Sequence, residues 1–138
     1  MKKYIIDTNA LISFVTDRNP IQQKRIVEIF EDAASLKAEV ICPQNVLAEF
    51  IYVMDKIYSI EKKEIRNILA AFISTPGMMV LHEMNLQTLM TVWPKQIADY
   101  CDSVLMTLGL TEKNAVVATF DRSLRTALKK AGIAVFPG

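Results

Sequence analysis

Five acidic residues far apart in the chain, Asp7, Glu49, Asp99, Asp102 and Asp121, are the side chains here best suited to chemistry. Carboxylates gathered at one place repel one another and destabilise a fold unless a cation or a proton neutralises them. A divalent metal is the simplest reason to keep such a cluster. An all-oxygen donor set with open positions suits Mg²⁺ or Mn²⁺, which take near-octahedral oxygen ligands and retain several waters. Zinc is poorly served, because the single histidine, His82, falls in a predicted loop with no Cys or His nearby.

Each acid also has a plainer reading. Asp7, Asp99 and Asp121 suit helix N-caps, Glu49 the boundary of an apolar stripe, and Asp102 a solvated helix face. The joint pattern favours the metal site. Other chemistries lack their parts: metal-free phosphodiester cleavage commonly needs a positioned histidine, and a Ser-His-Asp hydrolase would need a Gly-x-Ser-x-Gly elbow that the chain does not have. No Gly-x-Gly-x-x-Gly or Gly-x-x-x-x-Gly-Lys loop is present to cradle a nucleotide.

For the acids to meet, the elements between them must bring them to one edge. Tyr4–Ile6 reads as a strand stopped at Asp7, followed by a helix through Leu11, Ile12 and Phe14. Asp17-Arg18-Asn19-Pro20 breaks it, and residues 21–36 resume helical spacing. Strand 39–42 ends at Pro43. A helix from Gln44 to about Tyr58 carries Glu49 at the margin of its apolar arc. A helix over 60–74, a strand over 78–81 and a helix around 85–92 follow.

Residues 97–110 are expected as a helix carrying Asp99 and Asp102 on one face, three residues apart. The clearest strand is 115–120, ended by Asp121. A helix over 122–131, a Gly132 stop and a strand over 133–136 complete the chain. Strand and helix alternate throughout, which predicts a three-layer α/β/α fold with a mainly parallel sheet of four or five strands. Sites in such sheets lie beyond the carboxyl ends of the strands, where Asp7 and Asp121 are each expected one residue past a strand.

With 138 residues, 51% of them hydrophobic, residues 1–138 are expected to form one domain. No apolar run approaches the roughly 20 residues of a membrane helix, so a soluble, cytoplasmic protein is expected. Met1-Lys2-Lys3-Tyr4-Ile5-Ile6 imitates the start of a secretory signal, but Asp7 and Asn9 interrupt it, favouring a mature first strand. Cys42 and Cys101 suit a reducing compartment as small buried residues. Net charge is +1, yet setting the five acids aside leaves 10 acidic against 16 basic residues, an excess of six positive charges suited to a phosphate-bearing substrate.

Four segments in order, Ile5-Ile6-Asp7-Thr8-Asn9-Ala10-Leu11-Ile12, Val46-Leu47-Ala48-Glu49-Phe50, Asp99-Tyr100-Cys101-Asp102-Ser103-Val104-Leu105 and Ala118-Thr119-Phe120-Asp121-Arg122, resemble the successive motifs of PIN-domain ribonucleases. The likeness is strongest to VapC-type toxins and covers essentially the whole chain. It implies that Asp7, Glu49 and Asp102 form the central acidic set and Asp121 a fourth corner. Asp99 is implied as a support or a ligand through water. Thr8, Asn9 and Thr119 match polar positions that orient ligands or water. Ser103 departs from the small apolar residue that relatives often carry there.

The resemblance further implies hydrolysis of phosphodiester bonds in RNA, single-stranded or structured, with one or two Mg²⁺ or Mn²⁺ ions, leaving a 5′-phosphate and a 3′-hydroxyl. It implies a homodimer and a cognate antitoxin, for which the helices over 21–36 and 60–74 offer apolar surface. Arg122, Arg125 and Lys129 share one helical face beside Asp121 and are candidates for RNA phosphates, or simply cations of a solvated helix. Competing readings are a housekeeping RNA-processing nuclease, a phosphatase or phosphotransferase with Asp7 as phosphate acceptor, and a binding module whose acids receive a basic partner. Asp7-Thr8-Asn9 lacks the second aspartate usual in that phosphotransferase class.

Overall fold

The computed structural model describes residues 1–138. Five strands, β1 (Lys2–Ile6), β2 (Ala38–Pro43), β3 (Met78–Leu81), β4 (Ala115–Ala118) and β5 (Ala134–Phe136), form one parallel sheet in the order β3-β2-β1-β4-β5. β1 is the central strand: Tyr4 pairs with Val40 on one side and Val116 on the other. Central strands of a parallel sheet are covered on both faces and therefore read as continuous apolar runs, which is why Ile5, Ile6, Ile41 and Val117 are buried.

Helices α1 (Thr8–Val15), α2 (Pro20–Ala34), α3 (Gln44–Lys56) and α4 (Lys62–Ile73) connect β1 to β2 and β2 to β3. Helices α5 (Leu86–Val92) and α6 (Tyr100–Thr111) carry the chain back past β1 to β4, and α7 (Arg122–Lys130) leads to β5. Right-handed crossovers that first run outward and then reverse place their helices on opposite faces of the sheet. In agreement, α1 to α4 pack among themselves and on β2 and β3, while α5 to α7 pack together and on β1, β4 and β5. The direction of winding changes between β1 and β4, and the crevice beyond the carboxyl ends at that switch point is where α/β sheets hold ligands.

Local signals explain the element ends. Asn19 caps α2 by accepting from the Gln22 N–H at 3.1 Å, with Pro20 in the first helical position, where its missing N–H has no partner to lose. Gly77, at φ +78°, turns the chain into β3 against α2; a Cβ there would lie 2.7 Å from the Ala33 carbonyl oxygen. Phe50 and Met54 on α3 and Leu105, Met106 and Leu108 on α6 fill the two layers against the sheet. Each such side chain contributes on the order of 1.5–3 kcal/mol by leaving water.

Two expected boundaries are corrected where they matter for function. The helix expected over 97–110 begins at Tyr100, so Asp99 is its cap and not a face residue one turn before Asp102. Residues 94–99 instead form an irregular segment tied down by Trp93, whose Nε1–H donates to the Ala98 carbonyl at 3.0 Å. The strand expected to reach Phe120 stops at Ala118, which puts Asp121 three residues past its end. Its ladder partners run out there: β1 ends opposite at Ile6 and β5 at Phe136, whose carbonyl takes the last bond, from the Thr119 N–H.

Candidate functional site

Asp7 follows β1 directly, its N–H donating to the Ala118 carbonyl of β4 at 3.2 Å. That bond anchors its backbone in the crevice between the two strands. It is the N-cap of α1: Oδ1 accepts from the Ala10 N–H at 2.7 Å, and Oδ2 accepts from the Thr119 hydroxyl. Asp121 repeats the arrangement after β4 as the cap of α7, with Oδ1 accepting from the Leu124 N–H at 2.8 Å and from Ser123 Oγ at 2.9 Å. Asp99 caps α6, accepting from the Asp102 N–H at 2.9 Å. Three of the five acids are thus helix caps, the plainer reading, and their caps aim them at one place.

That place is a cavity of about 210 Å³ at the switch point, lined by all five carboxylates. Asp7 comes from the end of β1, Glu49 from α3, Asp99 and Asp102 from the start of α6, and Asp121 from the start of α7. Thr8 and Asn9 line it as well. Thr119 stands behind Asp7, fully buried, where its hydroxyl donates to Oδ2 of Asp7 and receives the Asp121 N–H at 3.2 Å. One threonine therefore fixes the spacing of two aspartates.

The electrostatics reflect burial first and the crowding of charges second. Burial pushes the Asp7 carboxyl up to about 6, against the Thr119 and Ala10 hydrogen bonds that lower it, with the Asp121 and Glu49 charges adding to the rise. Asp102 is also raised to about 6, by burial first and then by the charges of Asp99, Asp121, Asp7 and Glu49. Asp121 moves the other way: the Leu124 N–H and the Ser123 hydroxyl hold it below the usual carboxylate range. Two of the cavity's carboxylates thus resist ionisation, chiefly through burial, and a positive charge beside them is favoured.

The donors are all oxygens, which fits a hard divalent cation. No three of the acid, cysteine and histidine side chains close on one point as a preformed metal cluster. Mg²⁺ and Mn²⁺ commonly keep several waters, so such a donor set can serve them without closing on one point.

Two neighbours of the acids were not among the candidates. Cys101, expected to be merely a small buried residue, lines the cavity beside Glu49; burial raises its thiol to about 11, which keeps it protonated near neutral pH. Asn45, one turn before Glu49 on α3, has both side-chain polar atoms buried without a partner. No sequence signal singles out either. Ser103 is fully buried, and its hydroxyl donates to the Ile97 and Asp99 carbonyls at 3.0 and 2.9 Å, bracing the segment that presents Asp99.

The cationic candidates divide. Arg125 is engaged by the protein, donating to the Thr119 carbonyl at 3.0 Å and the Pro137 carbonyl at 2.6 Å. It ties the C-terminal residues to the end of β4, a bracing role for its guanidinium. Arg122 and Lys129 are exposed. His82 is exposed after β3 and does not line the acidic cavity.

A family model described as PIN domain matches residues 4–130. No curated protein matches the sequence. Among solved structures the chain is similar to the PIN domain endonuclease Utp24 at 21% identity and a TM-score of 0.56, over 96% of this chain and 82% of that one. It is similar to PAE2754 from Pyrobaculum aerophilum at 16% identity and a TM-score of 0.66, over 97% of this chain and 89% of that one. It is also similar to VapBC2 from Rickettsia felis, bound to a DNA fragment from their promoter, at 15% identity and a TM-score of 0.65, over 96% of each chain. At these identities the likeness is one of fold.

Proposed function

This chain belongs to the PIN-domain family, and on that premise we propose that it is a divalent-metal-dependent endoribonuclease cutting single-stranded RNA, the toxin of a toxin–antitoxin pair. PIN domains are generally nucleases and generally use divalent metal ions. One observation carries the reading: five carboxylates from four separate segments line a single cavity at the switch point of the sheet. Residues 1–138 are taken as one domain acting as a unit.

In this reading Asp7, Glu49, Asp102 and Asp121 hold Mg²⁺ or Mn²⁺, one or two ions, and Asp99 assists directly or through water. When bound, the ion supplies an acidified water and positive charge for the scissile phosphate and its leaving 3′ oxygen. The protein's own part is orientation. Thr119 and the Ala10 N–H fix both oxygens of Asp7, and the α7 amino end fixes one oxygen of Asp121. Asn9 and Thr8 orient water in this reading, which their place on the cavity wall supports. The products carry a 5′-phosphate and a 3′-hydroxyl, and no 2′-hydroxyl is needed.

Against the phosphotransferase reading stands the sequence Asp7-Thr8-Asn9, which lacks the second aspartate usual in that class. The toxin role draws support from an apolar groove of about 430 Å³ between α3 and α4, where Ile51, Ile65, Leu69 and Ile73 meet. Such a surface suits an antitoxin segment, and a homodimer is part of the same proposal. The fold likeness to VapBC2 points the same way, while that to Utp24 keeps an RNA-processing role in view.

The decisive experiment is cleavage of defined single-stranded RNAs by the purified protein with Mn²⁺, Mg²⁺ or EDTA, beside Asp7→Asn, with the product ends mapped. Metal-dependent cuts bearing 5′-phosphates and lost in the variant are expected. A folded protein that binds no divalent ion sinks the reading in favour of a binding module. Growth arrest on expression, relieved by a co-expressed antitoxin, separates toxin from processing enzyme.

A further inference from the structure

Three cavities with shared lining residues run from the carboxyl edge of the sheet along the side of α7 toward its C-terminal end. The acidic cavity shares Asp99 and Asp102 with a second, of about 320 Å³, lying between the 94–99 segment and α7. The second shares Gln96 and Ala127 with a third, of about 270 Å³, that ends at Lys130. Together they make a trough leading away from the acids. Its α7 wall is the stripe Ser123, Ala127, Lys130, which helical spacing sets on one face. That face is turned by roughly a third of a revolution from the one shared by Arg122, Arg125 and Lys129, at about 100° per residue.

The character of the trough changes along its length. Past Asp99 and Asp102 no further acid lines it. Half-buried Ile97 supplies an apolar wall, the buried Leu124 closes the apolar floor, and small residues at 98, 123 and 127 keep it open. Gln96 lines the trough and donates one Nε2–H to the Thr91 carbonyl at 3.1 Å, which holds its amide in place and leaves its carbonyl oxygen without a protein donor. The far end carries the exposed cation Lys130. The wall opposite α7 is fixed in advance by Trp93, bonded to the Ala98 carbonyl, and by Ser103, bonded to the Ile97 carbonyl.

We propose that this trough is the track of the RNA strand on one side of the cut. A base beside the scissile phosphate packs against Ile97 over the Leu124 floor, Gln96 accepts from a base N–H, and Lys130 meets a phosphate farther along. The proposal rests on the ribonuclease reading above. The sequence of surfaces matches the substrate: acids that hold a cation where the phosphate is cut, an apolar wall and floor for a base, an acceptor for its edge, and a cation for the next charge. Loss of a polar reader in such a site changes discrimination between bases more than it changes rate.

The test compares cleavage of a short fluorescein-labelled RNA library with hydrolysis of bis-p-nitrophenyl phosphate, a small diester that needs the acids but cannot fill the trough, both with Mn²⁺. Ala127→Phe is expected to raise KM for RNA, with a loss on RNA about tenfold greater than on the small diester, equivalent to about 1.4 kcal/mol of lost strand binding. Gln96→Ala is expected to flatten the base preference at one position beside the cut. Lys130→Glu should raise KM and shallow the salt dependence of binding by about one charge. Lys113→Glu, the same change beyond the amino end of β4, should do neither. Wild-type KM and base preference in all three trough variants, with RNA still cut, overturn the proposal and leave the ribonuclease reading intact. A wild-type protein that hydrolyses neither RNA nor the small diester with any divalent ion overturns the ribonuclease reading itself, and the trough falls with it.

Discussion

Asp7 and Asp121 occupy the same local position twice over. Each stands past the end of one of two adjacent parallel strands, each caps the helix that follows, and each lines the same cavity. Their chemistry nonetheless diverges: Asp7 is 5% exposed with its carboxyl pushed up to about 6, whereas Asp121 is exposed and held below the usual range. A cap lowers a carboxyl pKa in either case, because helix N–H groups favour the anion. At Asp7 burial overrides the cap. The pair shows that a motif assigns a carboxylate its neighbours, while depth decides whether its charge stabilises or strains the fold.

The sharpest contrast is expected from neutralising each in turn. Asp7→Asn should reduce metal-dependent cleavage by more than the roughly 100-fold typical of losing an outer partner of a metal ligand. The same change should raise the melting temperature of the metal-free protein at neutral pH by a few degrees. The ionised Asp7 opposes folding there by about 3 kcal/mol, partly offset in the variant by a poorer bond to Thr119. Asp121→Asn should also impair cleavage but give no gain in melting temperature, since Asn caps as well as Asp and no buried charge is relieved. Equal thermal gains in the two variants would erase the distinction drawn here.

The pH dependence follows from the same shifts. Asp7 and Asp102 have folded pKa values raised above the unfolded value of 3.8, so between about pH 4 and 6 the unfolded chain releases protons that the native state keeps. Stability of the metal-free protein therefore falls as pH rises through that window. Asp121, lowered, contributes with the opposite sign: its stabilisation is present above the unfolded value and is lost as pH falls through the folded one. Melting followed by circular dichroism from pH 3 to 7 should peak near pH 4, with the decline above it shallower in Asp7→Asn. Saturating Mn²⁺ should reverse that decline, because a bound cation favours the ionised acids.

A smaller effect is expected at Thr119, which touches both aspartates. Thr119→Val removes the donor to Asp7 and the acceptor of the Asp121 N–H, so it should weaken Mn²⁺ binding about 10- to 100-fold in calorimetric titration and lower stability by about 1 kcal/mol. The smallest concerns the cations beside Asp121. Arg122→Ala should leave melting unchanged and lower the salt slope of RNA binding by about one at most, whereas Arg125→Ala should destabilise by about 1–2 kcal/mol through its two lost carbonyl contacts.

Much of this was legible in the chain. The apolar run ending at Asp7 and the run through Val117 mark the two central strands because both faces of a parallel sheet are buried. The alternation of strand and helix fixes the layer order by the handedness of crossovers. Asp7 and Asp121 read as residues beyond strand ends because short acids favour N-caps. The exact reach of β4 was not legible: Thr119 and Phe120 are good strand residues, and only the shortness of β1 and β5 ends the ladder before them. Nor was the start of α6, where Ile97 and Ala98 suit a helix but Trp93 and Ser103 hold their carbonyls outside one.

The sequence by itself determined which residues are acids, where helices can be capped, and that the chain must wind as a parallel α/β sheet, because propensity, capping and apolar periodicity are short-range properties. Only the tertiary structure decided that Cys101 lines the acidic cavity, that the Asn45 amide is buried without a partner, that Arg125 is spent on Thr119 and Pro137, and that Asp7 rather than Asp121 is the strained carboxylate. Those outcomes depend on burial and on side chains distant in sequence meeting across α3, α6 and α7. Desolvation and long-range contact are set by packing, which no local pattern of residues contains.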